Sequence, residues 1–509
     1  MHATIDYDTE LPERLYTAAA VRELDRRAIE DHGIPGSELM ERAGAAAYTQ
    51  LRQAWPEARC ITVLCGGGNN GGDGFVIARL AQADGLDVRL ISKAAATDLH
   101  GAARQAWNAA MAAGVPVRPF STAELAAADV IVDALLGTGL DREVRGELGD
   151  WIAAVNAAAA PVLAVDIPSG LHADSGRILG RAVDAALTVT FIGMKVGLLT
   201  GAGRAICGRL HFADLGVPAA VYQGVDVAAW RRDYASLAPI LAPRRANAHK
   251  GHFGHVLVIG GEAGYAGAAR MAAEAAARSG AGLVSVATRP QHAAVIVQQR
   301  PELMVHAVDE PSALGPLLAR ASVVAVGPGL GRSDWALGLL GAVLDSPLPL
   351  VVDADALNLL AGEPLRRDNW LLTPHPGEAA RLLDTDTASV QADRLAALAQ
   401  LTARYGGAAV LKGSGTLIGA GDASPVLCSD GNPGMASGGM GDVLSGVLAG
   451  LLAQFYPHTL TLAETGALGV CLHAAAADTA AAGGGERGLL ASDLFRPLRR
   501  LANPDLHQD

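Results

Sequence analysis

Short apolar runs recur along this chain, separated by Ala-rich stretches whose apolar positions have helical spacing. In the first half the runs are ITVLC (61–65), DVRLI (87–91), DVIVDALL (129–136), PVLAVDIP (161–168), LTVTFIGM (187–194) and RLHFADLG (209–216). Helices are predicted over 17–30, with Thr17 as N-cap, and over 75–83 and 101–113. Continuous apolar strands alternating with helices predict a parallel sheet covered on both faces. The alternation breaks at 226–255, a segment rich in Arg, His and Pro that is expected to hold a short helix at most. It resumes with HVLVIGG (255–261), GLVSVAT (282–288), ASVVAVGPG (321–329), LPLVVDADAL (348–357), NWLLTPH (369–375) and AAVLKGSGT (408–416). The expectation is therefore α/β throughout: two different α/β domains, at 1–225 and 246–509, joined by a linker at 226–245.

Composition narrows this picture. Of the 509 residues, 50% are hydrophobic and 18% charged, enough apolar material for large cores and too little charge for a disordered chain. A net charge of −12 argues against nucleic acid as a partner. The five cysteines (Cys60, Cys65, Cys207, Cys428, Cys471) are far apart and form no CxxC pair. Buried free thiols in a reducing cytoplasm are expected, rather than a disulfide framework or a zinc site. The stretch 443–463 lacks acidic and basic residues but is interrupted by Ser445, Gln454, Tyr456, Pro457 and His458. A buried helix explains it better than a membrane span. The polar N-terminus, MHATIDYDTELPER, reads as neither signal nor transit peptide.

The strongest signal in the first half is CGGGNNGGDGFVIARLA (65–81). A strand is expected to run into a glycine-rich loop with Asn69, Asn70 and Asp73 at its tip, then into a helix. Glycines let backbone amides approach a phosphate, and the helix N-terminus favours an anion. Turn formation alone would use the same residues. Asp133 in VDALLGTGL and Asp166 and Ser169 in VDIPSG also fall at strand ends, where a doubly wound sheet opens its ligand crevice. Taken singly, each Asp reads as a cap or turn former. Taken together, Asn70, Asp133 and Ser169 offer hard oxygen donors with one carboxylate, which suit an alkali cation better than zinc.

GGGNNGGDG, VDALLGTG and VDIPSG, in this order, resemble the NAD(P)H-hydrate epimerase family over about residues 15–220. The resemblance implies a Rossmann-like three-layer sandwich. It also implies that Asn69, Asn70, Gly71, Gly72 and Asp73, the loop Gly137, Thr138, Gly139, Leu140, Asp141, Arg142 and Glu143, and Asp166 contact a hydrated nucleotide. Potassium would be held by Asn70, Asp133 and Ser169. Asp166 is the expected catalytic acid/base. Lys195 is either its electrostatic partner or an ordinary solvated lysine.

In the second half, SDGNPGMASGGMGDVLSGVLAGLL (429–452) carries a glycine loop opening directly into an apolar helix. Amides at Gly439–Gly441 would stabilise a transferring phosphoryl group, and Asp442 at the helix start could take a proton from the attacking hydroxyl. A plain helix cap is the other role open to Asp442. KGSGT (412–416) offers a cation, hydroxyls and amides as a phosphate clamp. DADALN places Asp353 and Asp355 at a strand end, suited to a magnesium–phosphate shell or to capping.

These motifs, with HKGHFGHVLVIGG, GYAGAARMAAEAAARSGAGLV, GPGLG and TPHPGE, resemble the ribokinase-like fold. Within it they resemble the ADP/ATP-dependent NAD(P)H-hydrate dehydratases, over about residues 245–495. The resemblance implies that Lys412, Gly413, Ser414, Gly415, Thr416 and Gly441 bind the adenine nucleotide. Ala268, Gly329, His375 and Asp442 would face the hydrated substrate. Met440 stands where Ser or Thr is more usual. The implied activity is metabolite repair. One domain interconverts the R and S hydrates of NADH and NADPH. The other dehydrates the S form with ADP and magnesium, giving AMP and phosphate. The alternatives are a vitamin or sugar kinase, or a noncatalytic N-terminal binding module. No membrane partner is expected. Ala-rich helix faces fit a homo-oligomer.

Overall fold

The computed structural model describes residues 11–504; the first ten residues, part of the N-terminus read as neither signal nor transit peptide, lie outside it. The chain divides into two compact units, Met1–Trp230 and Arg231–Asp509.

In the first unit six parallel strands form one sheet, in the order Asp87–Ser92, Cys60–Cys65, Val130–Ala134, Val162–Val165, Leu187–Phe191, Arg209–Ala213. The six apolar runs of the sequence are these strands. Chain direction across the sheet reverses between Cys60–Cys65 and Val130–Ala134, so the loops leaving these two strands part and open a crevice. Helix Ala18–Arg26 starts as its spacing predicts, with Thr17 Oγ1 accepting from Ala20 N at 3.2 Å, but Arg27–Asp31 widens into a π turn.

The expected glycine loop is shorter than its sequence implies. Helix Asn69–Ala83 begins at Asn69, so Asn69, Asn70, Gly71, Gly72 and Asp73 are helical rather than at a loop tip. The reason is packing. A Cβ on Gly71 would lie 2.0 Å from the Gly66 carbonyl oxygen, so glycine lets the helix start directly against the strand end. A strand at Arg14–Tyr16, absent from the sequence reading, pairs in parallel with Met194–Lys195 and antiparallel with Ala229–Arg232. The segment expected to hold only a short helix therefore carries a strand as well as helix Tyr234–Leu237.

In the second unit the strand order is Met304–Ala307, Leu283–Thr288, His255–Ile259, Val323–Val326, Leu350–Val352, Trp370–Leu372, Ala408–Leu411, Thr416–Ala420, Val426–Cys428. The first seven are parallel and the last two add an antiparallel edge. That edge and Met304–Ala307 escape the sequence reading because their apolar runs are short and mixed with polar residues. Both units are thus α/β, as expected, with helices following most of the parallel strands. The charge-free stretch resolves into the end of helix Met440–Phe455, buried along most of its length, a turn, and the start of helix Leu462–Gly484. Among the described residues no helix is long and apolar enough to cross a membrane.

Candidate active sites

In the first unit the crevice is a cavity of about 950 Å³. Asn69, Asn70, Asp73, Gly137, Thr138, Gly139, Leu140, Asp141, Arg142 and Asp166 line it, together with Lys195. Gly71, Gly72 and Glu143 do not: the two glycines face packing neighbours, and Glu143 is taken by Arg145 Nε at 2.8 Å.

Asp133, Ser169 and Asn70 are joined into one network. Asp133 Oδ1 accepts from Ser169 Oγ at 2.6 Å, and Oδ2 accepts from Ser169 N at 2.8 Å. Leu136 N donates to Ser169 Oγ at 2.8 Å, while Asn70 Nδ2 donates to Leu136 O at 2.9 Å. The buried Asn70 Oδ1 has no hydrogen-bond partner. A buried amide oxygen left without a donor, next to a carboxylate and a hydroxyl, is an arrangement a cation completes. Burial pushes the Asp133 carboxyl up to about 6, with its hydrogen bonds from Ser169 opposing.

Asp166 sits at φ +67, a conformation that costs a non-glycine residue about 1–3 kcal/mol. Beside it stands Lys195. Its ammonium is buried, pairs with Asp166 Oδ1, and donates to Thr190 Oγ1 at 3.0 Å and Phe191 O at 3.2 Å. Lys195 is therefore the electrostatic partner, and the solvated-lysine alternative falls. Asp25, which no motif flagged, also lines the cavity. Burial raises its carboxyl to about 6, with Lys195 opposing and Asp166 adding to the rise. Burial, then Asp166 and Asp25, holds Asp73 well above the ordinary range. Asp25, Asp73 and the Asp166–Lys195 pair thus share one cavity.

In the second unit the polar residues meet at strand ends. Asp353 follows strand Leu350–Val352 and does not cap the next helix with its side chain. It accepts instead from Lys412 Nζ at 2.7 Å and from Ser445 Oγ at 2.7 Å. Glu378 Oε2 lies 3.8 Å from the same ammonium. Burial works against ionising Asp353, but Lys412 and these hydrogen bonds outweigh it and hold the carboxyl low. Lys412 is thus not a free clamp; it stands ion-paired at the bottom of the site. A Cβ on Gly441 would lie 3.4 Å from Lys412 Nζ and 3.6 Å from Asp353 Oδ2, so the first turn of helix Met440–Phe455 packs against that pair.

Gly439 takes φ +91 immediately before helix Met440–Phe455, which puts Asp442 in the first turn. Burial, then the charge of Asp353, lifts the Asp442 carboxyl to about 7, with Lys412 opposing. A Cβ on Gly329 would lie 3.1 Å from the Ala268 Cβ, so these two expected substrate contacts are neighbours. His375 caps helix Pro376–Leu382, its Nδ1 accepting from Gly377 N at 2.9 Å and Glu378 N at 3.2 Å. Gly413, Ser414 and Gly415 form the turn after strand Ala408–Leu411, and Thr416 opens the next strand, Thr416–Ala420. The buried Arg394 donates to Leu411 O at 3.1 Å and Gly415 O at 3.3 Å, fixing that turn. Sequence reasoning missed Arg394, which belongs to no motif, and Ser445, whose place one helical turn after Asp442 was the available signal.

The five cysteines are free, four of them buried, as expected. Cys428, Cys471 and Asp430 come within 4.8 Å of one another. Contact with Cys428 and burial push the Cys471 thiol well up.

A cavity lined by carboxyls and a buried lysine in one α/β unit, and an Asp353–Lys412–Ser445 arrangement at strand ends in the other, define a class: two fused α/β units, each with its own buried polar site. Residues 36–197 match the family model described as YjeF-related protein N-terminus, and residues 256–500 match that of NAD(P)H-hydrate dehydratase. The chain is 52% identical to the bifunctional NAD(P)H-hydrate repair enzyme of Coxiella burnetii, over 96% of this chain and 99% of that one. It is 45% identical to that of Escherichia coli, over 97% and 95%. A solved ADP/ATP-dependent NAD(P)H-hydrate dehydratase from Bacillus subtilis, co-crystallised with ATP and magnesium, matches at 27% identity and a TM-score of 0.46, covering 53% of this chain and 95% of that one. The chain belongs to the family of bifunctional NAD(P)H-hydrate repair enzymes, with an epimerase unit followed by a dehydratase unit.

Proposed function

We propose that the first unit interconverts the R and S hydrates of NADH and NADPH in the cavity around Asp166, and that the second dehydrates the S hydrate at the expense of ADP. The observation that carries the second half is the Asp442 carboxyl. It is poised at about 7 in the first turn of a helix whose preceding amides are free to meet a phosphate. Asp442 takes the proton of the ring hydroxyl as that oxygen attacks the terminal phosphoryl group of ADP. Phosphate is a good leaving group where hydroxide is poor, so the ring nitrogen expels it, and loss of a proton from the adjacent ring carbon restores the dihydronicotinamide. Lys412 and the stretch Gly413–Thr416 hold the nucleotide phosphates. Ala268, Gly329 and His375 border the hydrated ring. Magnesium suits the carboxylates Asp353 and Asp355, where it would neutralise phosphate charge.

In the first unit Asp166 is the acid/base and Lys195 steadies its charge. Asn70, Asp133 and Ser169 fit a potassium ion because the Asn70 Oδ1 otherwise has no partner. Such an ion would supply positive charge beside the bound nucleotide. We assign the protein to the cytoplasm, where its buried thiols stay reduced, and to a homo-oligomer built through Ala-rich helix faces. The test is an epimer-resolved assay of the full chain. Purified R hydrate with ADP and magnesium should disappear through the S form, and AMP should appear with each NAD(P)H recovered. Recovery without AMP, or with ATP alone, would reject ADP as donor.

A further inference from the structure

Helix Ala266–Arg278 packs one side against helix Met440–Phe455: a Cβ on Gly446 would lie 2.0 Å from Ala272 O and 2.8 Å from the Ala275 Cβ. On another face Arg270, Glu274 and Arg278 recur every four residues and so stand in a row. Glu274 is buried, with 2% of its side chain exposed. Arg270 Nη1 lies 2.9 Å from its Oε2, Arg278 Nη2 lies 3.6 Å from its Oε1, and Arg300 pairs with the same oxygen. Arg496 and Arg499, one turn apart on helix Phe495–Leu501, join these residues and Ser492 in lining a cavity of about 480 Å³.

Five guanidinium groups therefore line this cavity, three of them paired with its one buried carboxylate, in a protein whose net charge is −12. Glu302 acts on Arg300 but does not line the cavity. Among the described residues neither Arg496 nor Arg499 has an ion-pair partner within 4 Å. The buried Nε of Arg300 has no hydrogen-bond partner, and Glu274 Oε1 lacks a well-formed one despite its nearby cations. Like charges gathered at a concave surface, with a buried donor unsatisfied, are stabilised by an anion with several acceptor oxygens. None of the residues assigned to the nucleotide or hydrate lines this cavity.

We propose that this cavity is a second anion site that takes a phosphate group, separate from the nucleotide cleft. The phosphate comes either as the inorganic ion or on a nucleotide. The test is calorimetric titration of the full chain with inorganic phosphate and, separately, with AMP, at fixed ionic strength. The variants are Arg496→Gln/Arg499→Gln and, as a cleft control, Lys412→Met/Asp353→Asn. The arginine variant should weaken phosphate binding at least tenfold, and the cleft variant should leave that component in place. Arginine-dependent binding tighter for AMP than for phosphate supports the site and identifies a nucleotide as its ligand; the reverse order identifies the inorganic ion. An unchanged thermal midpoint without phosphate shows that the arginine variant is folded. Phosphate binding that is absent, or lost only in the cleft variant, overturns the proposal. So does an arginine-dependent change in sedimentation without phosphate, which would make this face a contact between copies.

Discussion

Asp442 distinguishes a helix cap from a base more sharply than any other residue. Asp442→Asn keeps shape and a capping oxygen but cannot accept a proton. ADP-dependent dehydration should fall roughly a hundredfold or more, while nucleotide binding by calorimetry stays intact; near-normal turnover would leave Asp442 only a cap. The sign of its pH dependence follows from its raised carboxyl. The base works only when ionised, so dehydration should be full above about 7 and decline as the pH falls through it. Stability moves the other way. A folded pKa above the unfolded value means that the ionised, buried carboxylate disfavours the fold above about 7, a penalty relieved at lower pH. Lys412 has two jobs that separate experimentally. Lys412→Ala should weaken ADP binding by about 1.5–3 kcal/mol, and should also destabilise the fold by about 3–5 kcal/mol by leaving Asp353 buried and unpaired. Lys412→Met/Asp353→Asn should recover the thermal midpoint but not ADP affinity. Unchanged affinity in both variants would remove Lys412 from the nucleotide site. Asp353 and Lys412 were each visible in a motif. Their pairing was not, because it depends on which strand ends the sheet sets side by side.

At the scale of elements, two helices start where glycines allow it. Helix Asn69–Ala83 begins earlier than its polar, glycine-rich start suggested, because local composition signals a turn while contact with the strand end rewards a helix. Helix Met440–Phe455 crosses helix Ala266–Arg278 at Gly446, where a Cβ would lie 2.0 Å from the Ala272 carbonyl oxygen. Gly446→Ala would improve helix propensity in isolation. Here the backbone clash dominates, and the variant should lose about 1–3 kcal/mol of stability. Because this helix carries Asp442 in its first turn, dehydration should drop with it. A chemical-denaturation midpoint equal to wild type would mean that the two helices are not held at this distance. Twelve apolar runs read from the sequence became strands. The short edges, such as Arg14–Tyr16 and Val426–Cys428, did not announce themselves, since their pairing comes from partners distant in the chain rather than from their own pattern.

The whole molecule contains two units with separate polar clusters, and each should fail alone. Asp133→Ala removes the buried carboxylate of the Asn70–Asp133–Ser169 network, so epimerisation should fall sharply and lose any dependence on potassium, while dehydration of pure S hydrate continues. Equal loss of both activities in a folded variant would contradict two independent sites. Much of this organisation is determined by sequence alone. Alternating apolar runs predict two largely parallel sheets, their break predicts a change of unit, and glycine and carboxylate motifs at strand ends mark the crevices. These are properties of neighbouring residues, where periodicity, turn chemistry and loop position act locally. Only the tertiary structure decided which charges meet. It put Asp25 beside Asp73, Asp166 and Lys195, turned Asp353 from capping toward Lys412 and Ser445, tied the turn after Lys412 to Arg394, and brought five arginines and Glu274 to one cavity. Such encounters depend on strand order, register and helix packing across tens to hundreds of residues. The free energy of a charge depends on its burial and neighbours, and neither is written in the residues adjacent to it.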